Sequence, residues 1–148
     1  MTFAHQTLRK LAGMSVLTVL ALHSYSPASQ QNAPLSPRVI EVLADHDSRY
    51  KMEGLKQPAI AVRVGEKLTL RITARKAKNR NRDGAIHGFT LLRAKDQKPV
   101  PDWDFALMPG TQEFNITAPQ EPGEYIVVCT VICSEDHEGM RMKFVVLP

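Results

Sequence analysis

The sequence predicts an all-β protein, an antiparallel β-sandwich of about six or seven short strands. Three observations carry that reading. Apolar and polar residues alternate at period two through most of the chain, Gly- and Pro-containing clusters separate the alternating segments, and no stretch beyond residue 28 shows the 3.6-residue period of an amphipathic helix. With 148 residues and 43% hydrophobic side chains, the chain is sized and composed for one ordinary domain.

Residues 1–28 have the make-up of a secretory signal. Arg9 and Lys10 precede residues 11–22, which contain no charge, and Ser26-Pro27-Ala28 offers the small side chains a signal peptidase reads. The apolar run falls short of the roughly 20 residues a bilayer-spanning helix needs, so a weak amino-terminal anchor is the alternative. Residues 29–37 are polar and Pro-containing, a tether with little to bury. The folded domain is expected over 38–148. The product is expected in the periplasm or another exported location, where thiols oxidise unless something else claims them.

In residues 67–74 every even-numbered side chain is apolar and every odd-numbered one polar, the pattern of a half-buried strand. The same logic predicts strands at 59–64, 86–92, 113–117 and 125–131. Near the carboxyl end Met142, Phe144 and Val146 share a face opposite Arg141 and Lys143. Val64-Gly65-Glu66, Met108-Pro109-Gly110 and residues 119–123 supply turns. The basic run from Arg71 to Arg82, with Arg75, Lys76, Lys78 and Arg80 inside it, is expected as a solvated loop, with a docking surface for an acidic partner as the alternative. A net charge of +4, from 19 Lys and Arg against 15 Asp and Glu, is too modest for a nucleic-acid surface, so no nucleic-acid partner is expected.

The chemistry concentrates in residues 129–140, which hold both cysteines of the chain, Cys129 and Cys133, then His137 and Met140. Thiolate, imidazole and thioether are soft donors, a set that suits copper and disfavours the hard cations magnesium and calcium. The loop lies between two predicted strands, which can fix its ends while it wraps an ion. His87 is a further candidate, placed in Ile86-His87-Gly88-Phe89-Thr90 at the start of a strand and beside a glycine that permits close approach. Residue types alone leave several occupants open. One copper could be held by Cys133, His137, Met140 and His87, and a structural zinc by two Cys and two His. A Cys129–Cys133 disulfide would need Cα atoms within about 7 Å. Of the remaining candidates, His46 beside Asp45 and Asp47 is expected to be exposed, Met108 and Met142 to be core, and Trp103 to pack inside rather than relay electrons at the surface.

The spacing of Cys129, Cys133, His137 and Met140, together with the upstream Ile-His-Gly-Phe-Thr segment, resembles the binuclear CuA centre of cytochrome c oxidase subunit II and of nitrous oxide reductase. The resemblance covers about residues 38–147 and implies a cupredoxin-like Greek-key antiparallel β-sandwich. It implies two copper ions bridged by the Cys129 and Cys133 thiolates, with His87 and Met140 completing one copper and His137 and the Val131 backbone carbonyl the other. It implies single-electron transfer between redox proteins, such as a c-type cytochrome and a terminal acceptor, with no independent active site. A copper-delivery protein or a mononuclear blue-copper protein is the alternative. Membrane contact is expected only if the amino-terminal segment is retained. The chain departs from the resemblance at Val131, where oxidase subunits usually carry a Glu that also serves a magnesium ion, and the expectation is therefore a free-standing CuA-like domain. Glu135, Asp136 and Glu138 flank His137, the position through which cupredoxins commonly pass electrons. Acid there would favour a basic donor, by steering that salt screens.

Overall fold

The structure, a computed structural model, describes residues 36–76 and 78–148; the expected signal and most of the expected tether lie outside the described residues. Among the described residues nine strands follow one another: β1 (Arg38–Ala44), β2 (Tyr50–Lys51), β3 (Ala59–Arg63), β4 (Lys67–Ala74), β5 (His87–Arg93), β6 (Pro99–Leu107), β7 (Gly110–Thr117), β8 (Gly123–Val128) and β9 (Arg141–Leu147), with a 3-10 turn at His137–Gly139. They form a four-stranded sheet in the order β2-β1-β4-β7 and a five-stranded sheet in the order β3-β9-β8-β5-β6. The alternation read from the sequence becomes the inner face of each sheet. Leu68, Leu70, Ile72 and Ala74 of β4, with Ile40, Val42 and Ala44 of β1, meet Ile60 and Val62 of β3 and Met142, Phe144 and Val146 of β9 in one buried cluster. Two contacts close the gap between sheets at their β6 and β7 edges. The Trp103 indole N–H donates to Thr117 O at 3.1 Å, and the rings of Phe105 and Phe114 stack at 4.4 Å.

Several details differ from the sequence reading. Strands β1 and β2 are not predicted by it, and the strand expected over 125–131 ends at Val128. Each sheet is mixed rather than purely antiparallel, because β1 runs parallel to β4 and β3 parallel to β9. The chain crosses from the first sheet to β3 and then reverses through the turn at Gly65 (φ 65°), so β4 returns beside β1 in the same direction. Periodicity reports which face is buried, not the direction of the neighbour. The sequence reading places no strand over 99–107, where Pro99 and Pro101 disfavour a strand interior. Strand β6 lies there at the sheet edge, where proline is tolerated, and its register to β5 slips between Thr90 and Leu92. The basic run expected as a loop from Arg71 begins inside β4, where Arg71 pairs with Glu41 and Glu113 of the flanking strands at 2.7 and 2.6 Å. Met108 is not core: it leads the β6–β7 turn, exposed, with its Cε lying over Gly84. Trp103 and Met142 are buried, and His46 is exposed with its ring on Asp45.

Candidate metal centre

Strands β5 and β8 are antiparallel neighbours, with Thr90 opposite Val128, so the start of one lies beside the end of the other. That pairing brings His87 and Gly88, at the start of β5, alongside residues 129–131, the first after β8. The segment 129–140 is then tied at its ends, because Cys129 N–H donates to Met140 O at 3.2 Å immediately before β9. Within it Cys133 N–H donates to Val131 O at 2.7 Å, a tight reversal that turns the second thiol back toward the first. The sulfurs of Cys129 and Cys133 stand 3.8 Å apart, both free thiols and both buried. One nitrogen of His87 joins them, all three ligand atoms lying within 4.8 Å of one another.

Gly88 makes this approach possible. A Cβ built there would stand 2.5 Å from Thr130 Oγ1 and 2.8 Å from Thr130 N, so only glycine lets β5 come this close to the loop. The backbone is then used on both sides of the position: Gly88 N–H donates to Cys129 Sγ at 3.3 Å, and Gly88 O accepts from the Tyr50 hydroxyl.

The protonation of His87 follows from its partners. Its Nε2 lies 2.9 Å from Arg75 O, and a carbonyl only accepts, so Nε2 carries the proton. Nδ1 is left with a bare lone pair, buried and without a hydrogen-bond partner among the described residues. Burial pushes the imidazole below its ordinary value and so favours the neutral ring, opposed by the Arg75 carbonyl. Burial also drives Cys129 up to about 11, against the Gly88 N–H that favours its thiolate. As a thiol it donates to Val131 O at 3.2 Å. Tyr50 is raised well above its ordinary value by burial, and its hydroxyl stays a donor.

The donor chemistry fits a soft metal. Two thiolates about 2.3 Å from one ion in tetrahedral directions stand about 3.8 Å apart, the separation seen here, and an orphaned imidazole nitrogen beside them is otherwise an uncompensated cost. A metal would replace the Cys129 proton, and the Val131 carbonyl already faces that sulfur. Met140 is fully buried at the loop's end. His137 is half-buried, outside the close-set group, with its Nδ1–H on Ser134 O at 3.0 Å. Glu135, Asp136 and Glu138 are exposed around it.

Several parts of the surroundings had no signal in the sequence. Ser48 arrives from the β1–β2 loop and Tyr50 from the start of β2, the Arg75 carbonyl and Asn79 N–H from the basic loop, the latter on Cys133 O at 2.9 Å. Neither loop has a motif. Only the side-by-side placement of β1 and β4 brings both to the cysteines.

No protein-family model matches the chain, and no curated protein matches it by sequence. Solved structures do. The chain is 20% identical to auracyanin A, a "blue" copper protein from the green thermophilic photosynthetic bacterium Chloroflexus aurantiacus, with a TM-score of 0.54 over 76% of this chain and 100% of that one. It is likewise 20% identical to auracyanin B, with a TM-score of 0.51 over 76% of this chain and 91% of that one. At that identity the likeness is one of fold, and the fold is the cupredoxin-like β-sandwich.

Proposed function

We propose that this protein is an exported copper-binding electron carrier that passes single electrons between redox proteins through a binuclear CuA-like centre. The observation that carries the reading is the juxtaposition of two free, buried thiols 3.8 Å apart with a partnerless His87 Nδ1. Met140 at the loop's end favours copper over zinc, which has little use for a thioether. Bound copper would supply a one-electron couple. Cys129 and Cys133 would bridge two ions, His87 and Met140 would hold one, and His137 with the Val131 carbonyl the other. The chain's own part is to hold these donors and exclude water. The Arg75 carbonyl fixes the His87 tautomer, the Gly88 N–H supports the Cys129 thiolate, and burial favours the neutral forms of Cys129 and His87 in the reduced metal-free site. The fold likeness to the auracyanins supports copper, and the ligand spacing supports two ions. The exposed acids around His137 support a basic partner such as a c-type cytochrome, with a terminal acceptor beyond it.

Reconstitution under reducing conditions, followed by metal counting and paramagnetic resonance, tests the reading. Two coppers per chain and an unpaired electron shared by two nuclei are expected, and Cys129→Ser or Cys133→Ser should each abolish that signal. A signal retained in either variant removes bridging by both thiolates. One ion with single-nucleus coupling replaces the binuclear reading with a blue-copper one, and no uptake removes copper altogether.

A further inference from the structure

The loop between β1 and β2 contains none of the candidate ligands, yet it reaches the cysteines. Ser48 is buried and held at φ 57°, a left-handed conformation that side chains other than glycine adopt reluctantly. The surrounding bonds impose it. Asp45 N–H donates to Arg49 O at 3.0 Å and Ser48 N–H to Asp45 O at 3.1 Å, while the buried Asp45 carboxylate accepts from His46 N at 2.9 Å and Lys51 Nζ at 2.7 Å. The result is a hydroxyl placed 3.6 Å from Cys133 Sγ and 2.7 Å from Ser134 Oγ.

Counting protons gives this contact a direction. Ser134 Oγ accepts from Asp136 N–H at 3.1 Å, and each serine brings one proton of its own. A thiolate only accepts, and a metal-bound cysteine is a thiolate. With Cys133 ionised, one arrangement satisfies every group: Asp136 N–H to Ser134, the Ser134 hydroxyl to Ser48, and the Ser48 hydroxyl to Cys133 Sγ. Bonds aligned in this way polarise one another toward the sulfur.

We propose that Ser48 is a positioning residue of the metal site, its hydroxyl donating to the Cys133 thiolate at the end of a relay that begins at the Asp136 backbone and passes through Ser134. The proposal rests on the copper reading above. Donation to the sulfur weakens its push toward the oxidised ion more than toward the reduced one, so the relay raises the reduction potential.

Ser48→Ala and Ser48→Gly in the copper-loaded full chain separate hydroxyl from backbone. Both remove the donor, but glycine accepts φ 57° freely and alanine does not. Redox titration should show both potentials lowered alike, by about tenfold in the reduced-to-oxidised ratio, or ~59 mV for one electron. The alanine variant should be the less resistant of the two to urea. Unchanged potentials in both variants overturn the proposal, as does a shift in the alanine variant alone, which would trace to strain. If the parent chain takes up no copper, the copper reading is what fails. Ser48 is then decided on the reduced metal-free protein by a double-mutant cycle of Ser48→Ala with Cys133→Ala in urea, where non-additive losses are expected and additive ones overturn the contact.

Discussion

Replacing Gly88 by alanine adds one methyl group at the point where β5 touches the ligand loop. The new carbon would stand 2.5 Å from Thr130 Oγ1, 2.8 Å from Thr130 N and 3.4 Å from Val131 N, against about 3.5 Å or more for a relaxed contact. The hydroxyl is held by Thr90 Oγ1 at 3.0 Å, and the nitrogen is backbone, so neither yields cheaply. Relief requires the strand and loop to part by several tenths of an ångström. That stretches the Gly88 N–H bond to Cys129 Sγ, already 3.3 Å, and draws His87 away from the sulfurs. Overpacking of this kind costs about 1–3 kcal/mol, and a weakened bond to sulfur adds a fraction of that. Urea denaturation of the metal-free protein should therefore show Gly88→Ala about 2 kcal/mol less stable, with copper bound less tightly. Adding Thr130→Ala removes the Oγ1 clash and leaves the one with the backbone nitrogen, so it should recover part of the loss and not all. Stability within about 0.5 kcal/mol of the parent, together with unchanged copper retention, would refute the close approach on which the site geometry rests.

Three further perturbations test other parts of the site. Because burial raises Cys129 from near 9.0 to about 11, the reduced metal-free fold holds this proton more tightly than the unfolded chain does. The associated stability is complete below about pH 9 and is lost as the pH climbs toward 11, on the order of 3 kcal/mol. Urea midpoints should fall over that window in the parent and far less in Cys129→Ser; parallel curves would remove the assignment. The Asp45 carboxylate is held well below the usual carboxylate range, first by the Lys51 ammonium. Its stabilisation is therefore present above about pH 4 and drains away as the pH falls below. Asp45→Asn should cost about 1–3 kcal/mol at pH 7 and less at pH 3, an equal loss at both being the contrary result. Met140→Leu, a change of similar volume at a fully buried position, should keep the copper count and shift the potential, because thioether is a weak ligand. Loss of an ion in that variant would make Met140 a principal ligand instead.

What the sequence could reveal followed from period and spacing. The strict alternation of β4 and the shared face of Met142, Phe144 and Val146 in β9 need no tertiary information, and the two cysteines, His137 and Met140 lie within twelve residues of one another, so their shared loop is visible at once. His87 was legible only through its neighbours, a glycine and an alternating strand. Ser48 and the Arg75 carbonyl were not legible. A serine beside acids in a loop and a backbone oxygen have no pattern of their own, and their roles exist only because β1 and β4 lie parallel and side by side, a pairing that periodicity does not encode. Strand β6 was hidden for a related reason, since its prolines are acceptable only at a sheet edge and the edge is a property of the assembled sheet.

The restraints on the candidate ligands are unevenly distributed, and that unevenness bears on the proposed electron transfer. Cys129, Cys133 and His87 are held from outside their own segments, by Gly88 N–H, by Ser48 and by the Arg75 carbonyl respectively. Asn79 N–H adds a fourth tie through Cys133 O. His137 is held by bonds within its own turn, to Ser134 O from both its ring and its backbone N–H, the latter at 3.4 Å, and its ring is partly in contact with solvent. A redox site needs donors that stay in place when the charge changes, and the thiol pair with His87 meets that need through rigid, distant parts of the sandwich. The His137 ring is less restrained than the sulfurs, since its one side-chain hydrogen bond among the described residues stays within its own turn. The same division places the stiff half of the site in the core and the adjustable half among the exposed acids, where the proposed function has an electron enter or leave.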